Sequence, residues 1–217
     1  QVWNVADGIN KAPLTLSGKL TTVDTGMLFT SGDTLTVAAG TELNSGKALG
    51  LIGKKGVTTG GTDQKPVTLK AATDLVVQAD AGTIDLSKTG DTITAGGTEE
   101  LTGQSIKLYK LQADAAKLTA TAGDIAFTGP LQTATSLTAT ATGSIEAADE
   151  RASIGATNAS GSLTMTAGQD ITLWSVQAGT VNLTATKGSI DLNGTTTNFQ
   201  SLTAKAGQDI SLNNTGI

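Results

Sequence analysis

Residues 166–173 read TAGQDITL, and residues 205–212 read KAGQDISL. The two phrases share the run AGQDI and begin 39 residues apart. Looser copies, built from a glycine, polar residues and an isoleucine, occur upstream as AGTIDL (81–86), AGDIAF (122–127), TGSIEA (142–147) and KGSIDL (187–192). Repetition of this kind is the signature of stacked-repeat architectures, so the structure of one repeat decides the fold.

Each repeat opens with a short alternating stretch such as LTAT, whose period of two predicts a β-strand. The first apolar residues of successive repeats are 19, 26, 18 and 21 residues apart, and they are Leu118, Leu137, Leu163, Val181 and Leu202. A glycine follows, which we expect to turn the chain through a positive φ. An Ile-x-Leu segment then predicts a second short strand. The unit is therefore about 20 residues long.

One such unit has too few inward side chains to offset its loss of chain entropy. Stacked units would place leucine over leucine and isoleucine over isoleucine. We therefore predict an all-β fold, a parallel β-helix (solenoid) of roughly 20-residue coils. About ten coils at one strand spacing each would give a rod about 50 Å long. Leu163, Val181 and Leu202 should lie one above another, whereas the handedness does not follow from the pattern.

The repeat is clear over residues 67–217 and blurred over residues 1–66, where we expect irregular coils. A Gly/Lys/Thr-rich stretch at 53–66 predicts a protruding loop. The 26-residue spacing after Leu137 predicts a second insertion at 146–155. No signal peptide is visible at the start, and no capping turn closes the end, so we expect an excised piece of a longer rod.

The composition excludes several kinds of metal site and catalytic site. The chain has no cysteine and no histidine, which removes the usual zinc sites, haem ligation, and thiol and imidazole catalysis. The adjacent acids Glu99–Glu100 and Asp149–Glu150 should face opposite ways along a strand, and we expect solvated loop acids. We predict no enzyme activity, no cofactor and no metal. A net charge of −5 disfavours nucleic acid, and no apolar run is long enough to span a membrane.

Outward threonines form one surface pattern. Four pairs are expected at one strand position in successive coils: Thr119/Thr121, Thr138/Thr140, Thr164/Thr166 and Thr184/Thr186. A flat Thr-x-Thr ladder resembles the surface of β-helical ice-binding proteins, which keeps ice binding as an alternative function. Threonine also suits any exposed strand, and the uneven coil lengths favour that simpler explanation.

Two aromatic residues form the other surface pattern. Tyr109 and Trp174 each follow an Ile-x-Leu segment, at a position that elsewhere holds a turn residue. Both rings should lie outside at one corner, three coils apart, where they could anchor a ligand. Glu150 and Arg151, in the predicted insertion, complete our candidate binding residues.

The phrases SLTATATGSIEA (136–147), SLTMTAGQDITL (162–173), VNLTATKGSIDL (181–192) and SLTAKAGQDISL (201–212) closely resemble the haemagglutinin repeats of filamentous haemagglutinin-type exoproteins. Those proteins include the stalks of two-partner-secretion adhesins and contact-dependent-inhibition toxins. The resemblance covers about residues 67–217 and is poor over 1–66. The Asn-Pro-x-Gly secretion motif of the family and an Arg-Gly-Asp motif are both missing.

The resemblance implies a large Gram-negative exoprotein, secreted or held at the cell surface, that leaves the cell through an outer-membrane pore transporter. This piece would be a structural and adhesive shaft that displays a distal binding or toxin module. It would serve adhesion, cell contact, biofilm or virulence, with a host or bacterial cell surface or a glycan as partner. A β-helical polysaccharide-degrading enzyme remains a further alternative.

Overall fold

The structure is a computed structural model that describes residues 12–147, 152–158, 160–194 and 197–213. The described residues contain strands and no helix, and all strands pair in parallel with strands of the next turn of the chain. The chain winds into a β-solenoid of about nine turns, each with three strand segments. We call the three sides of the solenoid faces 1, 2 and 3. The predicted parallel β-helix is confirmed.

Face 1 is a ten-stranded sheet. Its strands are β1 (Leu14–Leu16), β4 (Thr34–Val37), β7 (Gly56–Thr59), β10 (Thr83–Leu86), β13 (Ser105–Leu108), β15 (Ile125–Phe127), β17 (Ile145–Ala147), β20 (Ile171–Leu173), β22 (Ile190–Leu192) and β24 (Ile210–Leu212). The Ile-x-Leu segments of the sequence are these strands. Ile171, Ile190 and Ile210 pair in succession, as the repeat requires.

Faces 2 and 3 share a 14-stranded sheet. Face 2 has β2 (Lys19–Thr21), β5 (Glu42–Ser45), β8 (Thr68–Ala71), β11 (Thr92–Ala95) and β18 (Ser153–Ala156). Face 3 has β3 (Met27–Ser31), β6 (Leu49–Gly53), β9 (Leu75–Ala79), β12 (Thr98–Gly103) and β19 (Ser162–Ala167). Four long strands run across both faces, and they are β14 (Leu111–Ala120), β16 (Leu131–Ala141), β21 (Ser175–Ala185) and β23 (Thr197–Ala206).

The core is a set of columns in which like side chains stack. On face 3, Leu163 pairs with Val181 and Val181 with Leu202, which confirms the predicted column. Leu163 and Val181 are fully buried. Full burial of such a side chain contributes about 1.5–3 kcal/mol, and each turn supplies only a few of them. Stability therefore comes from stacking turn on turn.

The repeat glycine was predicted to take a positive φ, and this is wrong. Gly168 and Gly207 are not among the glycines with positive φ. They are needed because the turns approach closely: a Cβ on Gly168 would lie 2.0 Å from the Thr142 carbonyl oxygen, and one on Gly207 would lie 2.6 Å from that of Thr186. The glycine makes room for the backbone of the previous turn.

A ladder of alternating aspartate and serine closes the corner before face 1. Asp124 accepts a 2.7 Å hydrogen bond from the Ser144 N–H, and Asp170 accepts one of 2.7 Å from the Ser189 N–H. In the opposite sense, Ser144 Oγ accepts a longer bond, 3.4 Å, from the Asp170 N–H. The polar residues of the AGQDI phrase thus tie each corner to the next.

The predicted protruding loop at 53–66 is partly wrong. Residues 56–59 form β7, which pairs with β4 and β10, and Val57 is fully buried. The rest of the stretch turns back through an antiparallel bridge between Thr62 and Lys65. Glycines lie on both sides of β7, and for this reason the sequence pattern did not predict the strand. The strand forms because it stacks on the neighbouring turns.

The predicted insertion at 146–155 is also corrected in part, because its residues 153–155 belong to the strand β18 (Ser153–Ala156). Nine residues separate Ile145 from Ile154, whereas six separate their partners Ile125 and Leu131 in the previous turn. A second extension follows β18 at 157–161. The additional residues of this turn therefore lie partly before and partly after β18, and β18 itself still pairs with β16.

Candidate functional site

Tyr109 and Trp174 lie at the corner between faces 1 and 2, directly after β13 and β20. The strand order β13-β15-β17-β20 separates them by three turns, about 14 Å by strand spacing. Both side chains are half-buried. The Tyr109 ring packs against Gly129 in the next turn, where a Cβ would lie 2.8 Å from Tyr109 Cδ2. Both residues lie at the predicted corner, but they are half-buried there and not fully outside. The binding role of both rings stays a prediction.

Glu150 and Arg151, the other two candidate binding residues, lie outside the described residues, as does Asp149. The described residues on either side, Ala147 and Ala152, are fully buried. The binding role of Glu150 and Arg151 also stays a prediction.

Two shallow depressions on face 2 lie beside β18. The first, of about 120 Å³, is lined by Gln132, Ser153, Ile154, Gly155, Thr157, Ser175 and Gln177. The second, of about 240 Å³, is lined by Ala156, Thr157, Asn158, Gln177, Ala178, Gly179, Phe199 and Gln200. Each is smaller than the roughly 300–1,000 Å³ of a typical small-molecule pocket. The described residues that line the two depressions include no carboxylate.

Glu99 is the most unusual side chain of the interior. On face 3 it pairs with Leu75 in the turn before and with Ala116 in the turn after, so it occupies a core column. It is fully buried, and neither carboxyl oxygen has a hydrogen-bond partner. Burial raises the pKa of the Glu99 carboxyl well above its ordinary value of 4.5. The expectation that Glu99 is a solvated loop acid is wrong.

No counter-ion reaches Glu99 within the described part of the chain, where no lysine or arginine is buried. Its neighbour Glu100 points outward and forms a 2.9 Å ion pair with Lys117. The charged residues on the strands packed against β12 also occupy outward positions, and they are Asp85, Lys107, Asp114 and Lys117. Desolvation therefore acts unopposed and favours the neutral acid.

The threonine ladder on face 3 differs from its predicted alignment. Thr119 pairs with Thr140, and Lys117 occupies the place opposite Thr138. One outward column holds five threonines in successive turns, and they are Thr102, Thr119, Thr140, Thr166 and Thr184. The Thr-x-Thr pairs at 138/140 and 164/166 are in register, but Asn182 and Lys205 interrupt the two columns beyond them.

The described residues contain no cluster of three or more histidine, cysteine or acidic side chains that could hold a metal ion. Within the same part of the chain, no helix is long and apolar enough to cross a membrane.

Comparisons of the chain with protein-family models, with curated proteins and with solved structures found no match. The resemblance to haemagglutinin repeats thus remains an expectation from the sequence.

Sequence reasoning missed Glu99 and the surface of β18, and only the first had a clear signal. Alternation in Glu99-Glu100-Leu101 places Glu99 on the same side as Leu101, which is a core residue. The depressions beside Gly155 depend on which residues of different turns align, and that register was not predicted.

Proposed function

We propose that the chain is a structural and adhesive rod segment of a large secreted or surface-attached bacterial exoprotein of the filamentous haemagglutinin type. The observation that carries the proposal is the register of the repeats: the phrases that resemble haemagglutinin repeats occupy equivalent positions in successive turns. A column of turns grows in length with every repeat, as a shaft requires. Export through an outer-membrane pore transporter belongs to the same proposal.

The structural half of the proposal is tested by removing one turn in register. Leu35 pairs with Val57, so deletion of residues 35–56 joins Thr34 to Val57 and keeps every later side chain on its face. We expect a folded protein shorter by about 5 Å, one strand spacing, in small-angle scattering. Deletion of 35–55 is the matched control, because the one-residue difference turns side chains to the wrong face. Loss of the fold in both deletions would contradict the proposal.

The adhesive half is tested with beads that carry the folded chain. We expect them to adhere to epithelial or bacterial cells more than albumin-coated beads do. Beads with a Leu163→Asp variant, whose charged side chain would enter the core column, serve as the unfolded control. Equal adhesion by all three kinds of bead would refute the adhesive role.

The threonine column favours a second candidate, ice binding. Five threonines in successive turns present hydroxyl groups at one strand spacing on face 3. The test is thermal hysteresis of the purified chain, which Thr140→Tyr should abolish. No hysteresis in the unmodified chain would remove this candidate.

An enzyme remains the third possibility, and its test is direct. Release of reducing ends from acidic or neutral polysaccharides on incubation with the chain would replace the shaft proposal with a β-helical polysaccharide-degrading enzyme.

A further inference from the structure

Two polar side chains at the corner between faces 1 and 2 are buried without a full set of hydrogen-bond partners. Asp91 and Thr59 are each 1% exposed, and neither Asp91 Oδ2 nor Thr59 Oγ1 has a partner. Among the described residues, Glu99 alone shares this property. Buried polar groups are nearly always hydrogen-bonded, so an unsatisfied group in a folded protein requires a bound water molecule or an ion to explain it.

The winding of the chain brings these two side chains to the same place. Thr59 ends β7, in the column of Leu16 and Val37. Asp91 immediately precedes β11, as Thr41 precedes β5, and β5, β8 and β11 pair in succession. Thr41 reaches back to the previous turn, where its Oγ1 donates a 3.3 Å hydrogen bond to the Leu16 carbonyl oxygen. Asp91 has the same relation to Thr59, and two unsatisfied groups at one corner indicate a shared partner.

The loop at 60–66 closes over the Asp91 carboxylate. The Val67 N–H donates a 2.8 Å hydrogen bond to Asp91 Oδ1. Gly61 is buried against the same carboxylate, because a Cβ at Gly61 would collide with Oδ1. Neither the N–H nor the carbonyl oxygen of Gly61 forms a hydrogen bond within the described part of the chain. The corner therefore has a carboxylate, a hydroxyl and a main-chain carbonyl that all lack partners.

The charge of Asp91 decides between the two kinds of partner. None of the ion pairs among the described residues includes Asp91, and Lys65 and Lys88, on the two adjoining loops, are exposed. A buried carboxylate is as a rule paired with a cation or bound to a metal ion. A water molecule would supply hydrogen bonds but no charge. A cation supplies the charge, and carboxylate, hydroxyl and carbonyl oxygens are the ligands that hard cations bind.

We propose that this corner binds a hard cation, Ca²⁺ or Na⁺, through Asp91 Oδ2, Thr59 Oγ1 and main-chain oxygens of the 60–66 loop. The ion ties one turn to the next, because Thr59 belongs to the turn of β7 and Asp91 to the turn of β10. A site with a single carboxylate differs from the clusters of three or more acidic side chains that the described residues lack. The inference departs from the sequence-based expectation of no metal, and it does not depend on the adhesive function.

The experiment is thermal unfolding of the full chain, followed by circular dichroism, after dialysis against a chelator. CaCl₂ and NaCl are then added separately, each compared with tetramethylammonium chloride at equal ionic strength. At least one of the two ions should raise the melting temperature by about 3–6 °C, the effect of an ion at about ten times its dissociation constant on a chain of this length.

Three variants locate the ion. Asp91→Asn keeps an acceptor for the Val67 N–H but removes the charge, so it should abolish the increase. Thr59→Val removes the hydroxyl and matches Val37 in the same column. It should raise the melting temperature in ion-free buffer, where the hydroxyl is unsatisfied, and reduce the increase that the ion produces. Asp63→Asn changes an exposed carboxylate of the same loop and is the matched control, which should leave the increase unchanged.

No increase with either ion would overturn the proposal and would assign the corner to a water molecule or to a protonated Asp91. An increase that survives Asp91→Asn, or that Asp63→Asn also abolishes, would overturn it as well, because the ion would then bind elsewhere. If Asp91→Asn fails to fold, Thr59→Val still decides: an ion effect equal to that of the wild type places the hydroxyl outside the site and contradicts the proposal.

Discussion

The burial of Glu99 makes a quantitative prediction about stability. We expect Glu99→Leu to stabilise the solenoid, because leucine is the residue of the same column at Leu75 and Leu137. Burial of a neutral carboxyl without a hydrogen bond costs about 1–3 kcal/mol in protein mutational data, and the substitution removes that cost. The small neighbour Ala116 leaves room for the new side chain.

The gain should depend on pH in a defined direction. The folded-state pKa of Glu99 is raised, so between its ordinary value of 4.5 and the raised value the unfolded chain binds fewer protons than the folded chain. The stability of the wild type therefore falls as pH rises through this window, by about 1.4 kcal/mol per pH unit. Below 4.5 the carboxyl is protonated in both states, and only the cost of the buried neutral acid remains.

The assay is guanidinium unfolding followed by far-UV circular dichroism, at unit steps from about pH 4 to about pH 8. The difference in unfolding free energy between Glu99→Leu and the wild type cancels the titration of all other carboxyls. Glu100→Gln is the matched control: its carboxyl is exposed and paired with Lys117, so its effect should stay below about 1 kcal/mol. A difference that does not change with pH, or a Glu99→Leu variant less stable than the wild type throughout, would refute the reasoning.

Three further predictions concern the column, a corner and an ion pair. Leu163→Ala should lower the unfolding free energy by about 2–5 kcal/mol in the same assay, because it opens a cavity between two stacked turns. Asp170→Ala should cost about 1 kcal/mol, because the Ser189 N–H loses its acceptor at an exposed corner. Lys55→Met should raise the pKa of Asp33 toward its ordinary value in a carbon-detected NMR titration, because the hydrogen bond from Lys55 is the main cause of its lowering.

The periodicity of the sequence was sufficient to predict the solenoid and the column of Leu163, Val181 and Leu202. It was not sufficient for the register around Leu118, which was aligned with Leu137. In the structure Leu118 pairs with Ala139, and Leu137 pairs with Ala116. A slip of one residue would have moved the core side chains to the surface, but a slip of two keeps every side chain on its face. Alternation alone therefore leaves this choice open.

Two additions of one residue each explain the slip: paired residues are 19 apart at Ile106 and Ile125 on face 1, 20 apart at Leu111 and Leu131 after the corner, and 21 apart after a bulge. The bulge lies between β14 and β16 after Ala113, where Asp114 of β14 is opposite two residues of β16, Ala134 and Thr135. Such a bulge lies at the bend between faces 2 and 3 and has no sequence signature in a chain of alternating threonine and alanine. The separation of 19 residues between two LTAT phrases was therefore not the length of the turn, which is 21 residues from Ala116 to Leu137.

The feature with most bearing on stability is an interruption of a column, Glu99 in an apolar column. Glu99 is an ordinary residue in its own strand, and it becomes unusual only when its partners in the adjacent turns are known. In a solenoid the column, rather than the strand, is the unit that stacking energy selects. A residue that departs from its column therefore costs stability, as the buried carboxyl does. Glu99→Leu restores the column, and it should stabilise the fold for that reason.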